Sequence, residues 1–232
     1  MLLPSLTAGT LVKRYKRFLA DVLLDDGSEV TVHCPNSGSM KGCAVPGSRV
    51  YISRSPNPDR KYPFTWELVQ SGGYWAGINT GLPNRLVREA ILDGSVAELQ
   101  GYATIRPEVP YGEHSRIDLL LENPGERCFV EVKNVTLVEG GRALFPDAVT
   151  TRGQKHLQEL MRVVREGDRG VIFFTVQRGD GNSVSPADTI DPEYGRLLRM
   201  ALESGVQALA YRALVTPEEI RLTERLPVLV PM

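Results

Sequence analysis

The chain has 232 residues, of which 42% are hydrophobic and 24% charged, and its formal net charge is −1. This composition is typical of a soluble globular protein with one large or two modest domains, and it excludes a long disordered chain. No apolar run reaches the roughly 18 residues that a membrane-spanning helix needs, and the first residues do not resemble a signal peptide. The three cysteines have neither zinc-site nor disulfide spacing, so we expect them to be reduced and the protein to be cytoplasmic.

The charge is unevenly distributed along the chain. Residues 1–80 contain nine Lys/Arg and six Asp/Glu, a net charge of +3, whereas the remainder has a net charge of −4. The basic excess is concentrated in the segment KRYKRF, residues 13–18. A local basic patch can bind a polyanion even when the total charge is near zero.

The first 80 residues have the pattern of β-strands throughout. Their predicted strands are 9–24 (one long strand or a bent pair), 29–34, 48–55, 65–70 and 74–79. Asp-Gly within DDGS and the sequence SGG supply hairpin turns, because these residues tolerate positive φ. Short strands without helical periodicity favour a small closed barrel of the OB type.

Beyond residue 80 the pattern changes to alternating helices and strands. The predicted helices are 82–94, 150–167 and 192–205, and the predicted strands are 115–123, 127–137, 170–177 and 206–215. The first two of these strands are joined by a short NPGE turn and should form an antiparallel hairpin, whereas 170–177 is fully apolar, as in a central parallel strand. We therefore predict two domains, a β-barrel over 1–80 and an α/β domain over 81–232.

One strand of that hairpin carries an acid and a base on the same face. Glu131 and Lys133 lie two residues apart and share a face, while Val130 and Val132 point to the other. Asp118 lies in the preceding strand, close enough to sit beside Glu131. Adjacent carboxylates raise each other's pKa unless a cation neutralises them, and Mg²⁺ binds to one or two carboxylates together with water or phosphate.

Asp118 followed by Glu131-Val132-Lys133 resembles the D…(D/E)xK core of the PD-(D/E)xK nuclease superfamily. The resemblance implies that Asp118 and Glu131 bind Mg²⁺ (or Mn²⁺), with the Val132 carbonyl as a further ligand. It also implies that Lys133 assists hydrolysis and that Glu89, on the preceding helix, supports the site.

The bare triplet is not specific, since an ExK on an arbitrary strand is more often a solvated cross-strand pair. Here the strand is otherwise apolar, and the order helix–hairpin–helix–strand is the one that the nuclease fold requires. Ile117 stands where many members have the proline of the motif, a substitution that the superfamily tolerates.

The helix that follows the hairpin has an unusually basic start. Arg152, Lys155 and His156 lie in its first turns, where cations oppose the positive end of the helix dipole. A phosphate bound at this end would explain the arrangement, with Arg152, Gln154 and Lys155 as its contacts. The alternative is a solvated helix end.

Further basic residues in the first domain are candidates for nucleic-acid binding. KRYKRF offers Lys13, Arg14, Lys16 and Arg17 for phosphates, with Tyr15 or Phe18 for base stacking. The alternative is that the aromatic residues belong to the barrel core and the cations to its solvated rim. Lys41 stands beside a small-residue loop, 36–42, which could hold a phosphate or be only a tight connection. His33 and His114 have no partners at ligand spacing and are interpreted as structural.

Several longer stretches, among them HCPNSGSMKGC, VEVKNVTL and FPDAVTTRGQKHLQEL, resemble the sugar fermentation stimulation protein family of bacteria and archaea. The resemblance extends over nearly the full length. It implies an N-terminal OB-like domain, a C-terminal PD-(D/E)xK nuclease-like domain and DNA binding without sequence specificity. The family name further implies a regulatory link to sugar (maltose) metabolism.

Two hypotheses follow for the function. The first is a DNA-binding protein, acting on double-stranded DNA, with an intact Mg²⁺-dependent phosphodiesterase site; the second is a DNA-binding regulatory module that does not cleave. The complete D…ExK motif favours the first. A sugar-responsive transcription factor would need a helix-turn-helix or a sugar pocket, and the sequence indicates neither. Nuclease domains that cut both strands often pair, so a homodimer is one expected assembly, although the sequence shows no interface.

Overall fold

The computed structural model describes residues 1–112 and 115–231, so the interpretation of His114 lies outside the described residues. The first domain consists of β1 (Leu6–Tyr15), β2 (Leu19–Leu24), β3 (Glu29–His33), β4 (Arg49–Arg54), β5 (Phe64–Ser71) and β6 (Tyr74–Gly77). Strands β1 to β5 are hydrogen-bonded in the order β3-β2-β1-β4-β5, and a parallel contact between β3 and β5 closes the ring. The closed five-stranded barrel confirms the predicted OB-like domain.

The segment 9–24 is a hairpin rather than one long strand. Tyr15 pairs with Leu19, and the chain reverses over the three residues between them. Lys16 and Arg17 both adopt left-handed backbone conformations there, with φ of 50° and 64°. The basic segment therefore does not run along one strand face, and its two central cations stand at the tip of a turn.

The second domain begins with α1 (Pro83–Leu92), a short 3₁₀ helix (Ala97–Leu99), β7 (Thr104–Tyr111), β8 (Ser115–Asn123) and β9 (Glu126–Val135). It continues with β10 (Leu137–Glu139), β11 (Arg142–Phe145), α2 (Thr151–Arg165), β12 (Arg169–Val176), β13 (Ser183–Pro186), α3 (Pro192–Glu203), β14 (Gln207–Val215) and β15 (Ile220–Arg225). The main sheet has the order β15-β14-β12-β9-β8-β7, in which β9, β12 and β14 are parallel. The predicted hairpin of β8 and β9 and the central parallel strand β12 are both present.

Helices cover both faces of this sheet. The apolar face of α1 packs with Val130 and Val132 on one side, whereas α2 and α3 pack with Phe129 and Val135 on the other. Alternation along β9 therefore directs Glu131 and Lys133 toward the α2 side. Among the described residues no helix is long and apolar enough to cross a membrane. The three cysteines are buried and form no disulfide in the structure.

Buried and half-buried polar contacts join the two domains. Arg178, only 4% exposed, pairs with Asp180, donates to Ser71 Oγ in the barrel at 3.0 Å, and donates to the Thr136 carbonyl at 3.3 Å. Asp147 accepts a hydrogen bond from the Met40 backbone N–H at 2.8 Å. These contacts fix the barrel against the α/β domain and form a cleft between them.

Replacing Arg178 with Met should lower the free energy of unfolding by about 3 kcal/mol, because it leaves Asp180 and the interdomain acceptors without their partner. The exposed pair of Arg221 with Glu219 provides the control, and Arg221→Met should change stability by less than about 1 kcal/mol. Urea unfolding of both variants measures the difference. Equal effects would show that the Arg178 contacts do not hold the domains together.

Candidate active site

The site lies where the pairing of β8 and β9 stops. Their antiparallel register runs from Asn123 and Glu126 to Leu119 and Val130. One residue further, the carboxylate of Asp118 accepts a hydrogen bond from the Val132 backbone N–H at 2.7 Å. Beyond the last backbone pair, the side chain of Asp118 thus accepts from a backbone N–H of β9. This contact holds the carboxylate at the end of the hairpin beside Glu131.

Glu131 is the centre of a buried polar cluster. It is 2% exposed, and its Oε1 accepts a hydrogen bond from Lys133 Nζ at 2.6 Å and is in close contact with His156 Nδ1. Lys133 and His156 are themselves 9% and 5% exposed, with 3.1 Å between Nζ and Nδ1. One residue of β9 and one residue of α2 therefore converge on a single carboxylate oxygen of Glu131.

The pKa values of the two acids are shifted in opposite directions. Burial and then the charge of Glu131 raise the pKa of Asp118 to about 6, against the lowering effects of the Val132 N–H, Lys133 and Asn84. Burial also raises the pKa of Glu131, but Lys133 and His156 outweigh it and hold that pKa below its usual value. The pair thus has more negative charge than its surroundings can easily stabilise when both acids are ionised.

This donor set fits a hard divalent cation. Glu131 Oε2 is buried and makes no hydrogen bond within the described part of the chain. Those described residues contain no group of three His, Cys, Asp or Glu that could enclose a metal. Mg²⁺ does not need such a cage, since it binds to one or two carboxylates and keeps water or phosphate oxygens in its other positions.

Both domains line the cleft above this cluster. It has a volume of about 460 Å³, and its walls include Arg17 and the 36–38 loop from the barrel, together with Lys133 and Arg152 from the α/β domain. A second groove of about 870 Å³ adjoins it, because Arg152 and His156 line both. Arg116 and Lys155 add positive charge to this second groove.

Residues 12–78 match the family model described as the SfsA N-terminal OB domain, and residues 81–219 match the sugar fermentation stimulation protein RE domain. The chain belongs to the sugar fermentation stimulation protein family.

Relatives of the family cover the whole chain. A sugar fermentation stimulation protein homolog from Pelobacter propionicus is 80% identical over 230 residues, which are 99% of this chain and 100% of the relative. A homolog from Geobacter sulfurreducens is 75% identical and covers 99% of each chain. Among solved structures, that of Pyrococcus furiosus SfsA in complex with Ca²⁺ matches with a TM-score of 0.91 and 28% identity, over 99% of this chain and 98% of that one. The two-domain fold class is therefore confirmed.

Two predicted site residues lie elsewhere. The carboxylate of Glu89 forms salt bridges with Arg85 Nε at 2.8 Å and with the Met1 amino group at 3.2 Å. Glu89 does not line the cleft. Asn84, on another face of the same helix, instead donates to Asp118 Oδ1 at 2.8 Å. Helix residues share a face when they are three or four apart, and Asn84 and Glu89 are not, so only one of them can reach the site.

Gln154 also has a structural partner. Its amide donates to both carboxylate oxygens of Asp191, at 2.9 and 3.2 Å, and Asp191 caps α3 by accepting from the Tyr194 N–H. Gln154 therefore connects α2 to the start of α3 and does not line the cleft. Of the three predicted phosphate contacts on α2, Arg152 lines the cleft and the second groove, and Lys155 lines the second groove.

The predicted DNA-binding cations of the barrel fall into two groups, those that contact other groups of the protein and those that are exposed at the 16–17 turn. Arg14 is committed to the protein, because its guanidinium donates to the carbonyls of Arg17, Asn36 and Gly38 at 2.8–2.9 Å and so fixes the loop that forms one cleft wall. Lys13 pairs with Asp21 at 3.4 Å, and Lys41 pairs with Glu139 at 2.8 Å across the domain boundary. Lys16 and Arg17 are exposed at the turn, and Arg17 lines the cleft.

Sequence reasoning missed two side chains that contact the motif, Asn84 and His156. In the sequence His156 stands out only as one of several basic residues at the start of a helix. A signal was available, since His156 is four residues after Arg152 and would share its helix face. For Asn84 no comparable signal existed, because a neutral amide at a helix start is ordinary.

Gln154→Ala should lower the free energy of unfolding by about 1 kcal/mol, the net contribution of a partly buried hydrogen bond, and should leave nucleic-acid affinity unchanged. Gln158, exposed on the same helix, provides a matched control whose Ala variant should keep wild-type stability. Chemical unfolding and a DNA-binding titration of both variants check this. A loss of affinity specific to Gln154→Ala would restore its assignment as a phosphate contact.

Proposed function

We propose that this protein binds DNA in the cleft between its two domains and hydrolyses phosphodiester bonds there with Mg²⁺ or Mn²⁺. The observation that carries the proposal is Glu131, a buried carboxylate next to Asp118. One of its oxygens is contacted by Lys133 and His156, and the other makes no hydrogen bond among the described residues. The Ca²⁺ complex of the Pyrococcus furiosus relative supports an oxygen-ligated divalent cation in this family.

The residues of the site have distinct roles in this proposal. Asp118, Glu131 and the Val132 carbonyl hold the cation. Lys133 orients the attacking water or stabilises the negative charge that develops on the phosphate. When bound, the metal ion supplies Lewis acidity and a lowered pKa for its bound water.

The DNA backbone is held by cations on both walls. Arg17, with Lys16 beside it in the chain, lines the cleft from the barrel, and Arg152 lines it from the α/β domain. Lys155 and Arg116 continue the positive surface into the second groove. The 16–17 turn supports this role, because successive left-handed residues favour Asn and Gly rather than Lys and Arg. A turn built for stability alone would not place two long cationic side chains there. We propose double-stranded DNA as the partner, since these cationic side chains would bind the phosphates of the backbone and not the bases.

One observation favours the alternative, a DNA-binding regulatory module that does not cleave. Lys133 Nζ is hydrogen-bonded to Glu131 Oε1, so the lysine of the motif is already paired with one oxygen of its acid. A site that stays in this arrangement with DNA bound would hold the backbone without hydrolysing it.

Cleavage assays separate the two functions. Asp118→Asn and Lys133→Met should each reduce Mg²⁺- or Mn²⁺-dependent cleavage by about 10²–10³-fold, because each removes a group that stabilises the transition state, while DNA affinity is retained. Linear, nicked and branched DNA, and RNA, are the substrates to compare.

Matched controls are Asp59→Asn and Lys61→Met, which make the same changes at exposed barrel positions and should cleave like wild type. Cleavage that persists in the Asp118 and Lys133 variants would show that the site is wrongly assigned. Binding by the wild-type protein without cleavage of any substrate would select the regulatory module.

The double variant Lys16→Asn with Arg17→Gly tests the turn. Its residues suit positive φ, so stability should be equal to or above that of the wild type, by about 1 kcal/mol. DNA affinity should fall, and the slope of log K against log salt should become less steep by about two, one for each lost phosphate contact.

A control with the same change in charge is Lys61→Asn with Arg88→Gln, at exposed positions that do not line the cleft. It should leave the salt slope near that of the wild type. An unchanged slope in the turn variant would remove Lys16 and Arg17 from the DNA-binding surface.

A further inference from the structure

His156 occupies the position beneath the cleft at which three functional side chains meet. It lies in the second turn of α2 and is 5% exposed. Its Nδ1 contacts Glu131 Oε1, and its Nε2 accepts a hydrogen bond from Arg152 Nε at 3.3 Å. One imidazole ring thus connects the buried acid of the motif with the cation at the mouth of the cleft.

The Arg152 contact fixes the tautomer of this ring. A guanidinium group is only a donor, so the ring nitrogen that faces it must be the acceptor. Nε2 therefore has no proton, and Nδ1 carries it and donates to Glu131 Oε1, which as a carboxylate oxygen can only accept. Lys133 Nζ lies 3.1 Å from Nδ1 but directs its proton to Oε1, since a protonated Nδ1 cannot accept it. Lys133 Nζ donates to the same oxygen at 2.6 Å.

The two donors have a consequence for the other oxygen of Glu131. With Lys133 and His156 both on Oε1, the plane of the carboxylate is fixed, and Oε2 is left buried without a hydrogen bond among the described residues. Groups that contact a metal-binding side chain orient it in this way in many metal sites.

The geometry points to His156 as a positioning residue: held as the Nδ1–H tautomer by Arg152, it orients Glu131 so that Oε2 is presented to the bound cation. This inference rests on the proposed divalent-metal site and adds a fourth and fifth member, Arg152 and His156, to the D…ExK motif. Arg152 then has two roles, since its Nε holds the imidazole while its side chain also lines the cleft.

The tautomer can be observed without metal, DNA or activity. The chain has three histidines, so the ¹⁵N imidazole resonances of His156 are assigned by their loss in His156→Asn. Wild type should show a protonated Nδ1 and an unprotonated Nε2. Arg152→Met should raise the population of the Nε2–H tautomer, because Nε2 loses its donor, while the contact of Nδ1 with Glu131 Oε1 continues to favour Nδ1–H. A protonated Nε2 in the wild-type protein would overturn the inference.

The orienting role is measured by Mn²⁺ affinity, with isothermal titration or the EPR signal of free Mn²⁺. His156→Leu should weaken binding by about 10–100-fold, the usual effect of losing a partner of a metal ligand. His156→Asn keeps an N–H donor and should bind more tightly than the Leu variant. His33→Leu, a change of the same kind in the barrel, should match wild type.

The outcomes separate this inference from the proposed function. Equal Mn²⁺ affinity in wild type and His156→Leu would overturn the role of His156 and leave the metal site standing. No Mn²⁺ binding by wild type would overturn the proposed metal site and the positioning role together. If the Leu variant does not fold, the comparison of wild type with His156→Asn and Arg152→Met decides, and affinities equal to wild type in both would contradict the inference.

Discussion

The structure of the candidate site depends on one constraint, the placement of two carboxylates side by side at the end of a β-hairpin. Neither Asp118 nor Glu131 can be buried there at low cost, because burial and mutual repulsion both oppose their ionised forms. The surrounding contacts partly offset this negative charge. The Val132 N–H and Asn84 donate hydrogen bonds to Asp118, and Lys133 and His156 contact Glu131. These contacts do not fully stabilise the two carboxylates, since the pKa of Asp118 stays raised and Oε2 of Glu131 makes no hydrogen bond among the described residues. A polar cluster kept for stability alone would be expected to satisfy every buried atom.

The barrel participates in this site through its loops rather than its strands. Arg14 holds the 36–39 loop through backbone carbonyls, and Asp147 of the second domain accepts from the Met40 N–H just beyond that loop. The loop is thereby fixed on both sides and forms a wall of the cleft. This explains why only part of the basic segment faces the cleft: Arg14 supports the wall, and Arg17 lines it.

The sequence predicts the positions of side chains that follow from the periodicity of a strand. It does not predict positions that depend on how helices and long side chains pack. Alternation in β9 was enough to place Glu131 and Lys133 on one face, and the short turn was enough to bring Asp118 to them. The rotation of α1 is set by the packing of its apolar face, so the approach of Asn84 to the site, in place of the predicted Glu89, is visible only in the three-dimensional structure. Strand β7 is not among the predicted strands. It contains Pro107 and Pro110, residues that are rare inside a strand but are tolerated at the sheet edge that β7 occupies. The partners of Arg14 and Gln154 could not be predicted for a related reason, since long polar side chains look alike in sequence whether they bind a ligand or the protein's own backbone.

The contact between Lys133 and Glu131 bears on the choice between the two proposed functions, hydrolysis of DNA and binding alone. If Lys133 were the only donor to Glu131 Oε1, its movement toward a phosphate would leave a buried carboxylate oxygen unpaired, at a cost of about 1–3 kcal/mol. His156 contacts that same oxygen, so Oε1 keeps a donor when Lys133 turns to the substrate. The shared oxygen thus lowers the cost of releasing the lysine, which a binding module would have no need to do. On this physical ground the arrangement around Glu131 favours hydrolysis over binding alone.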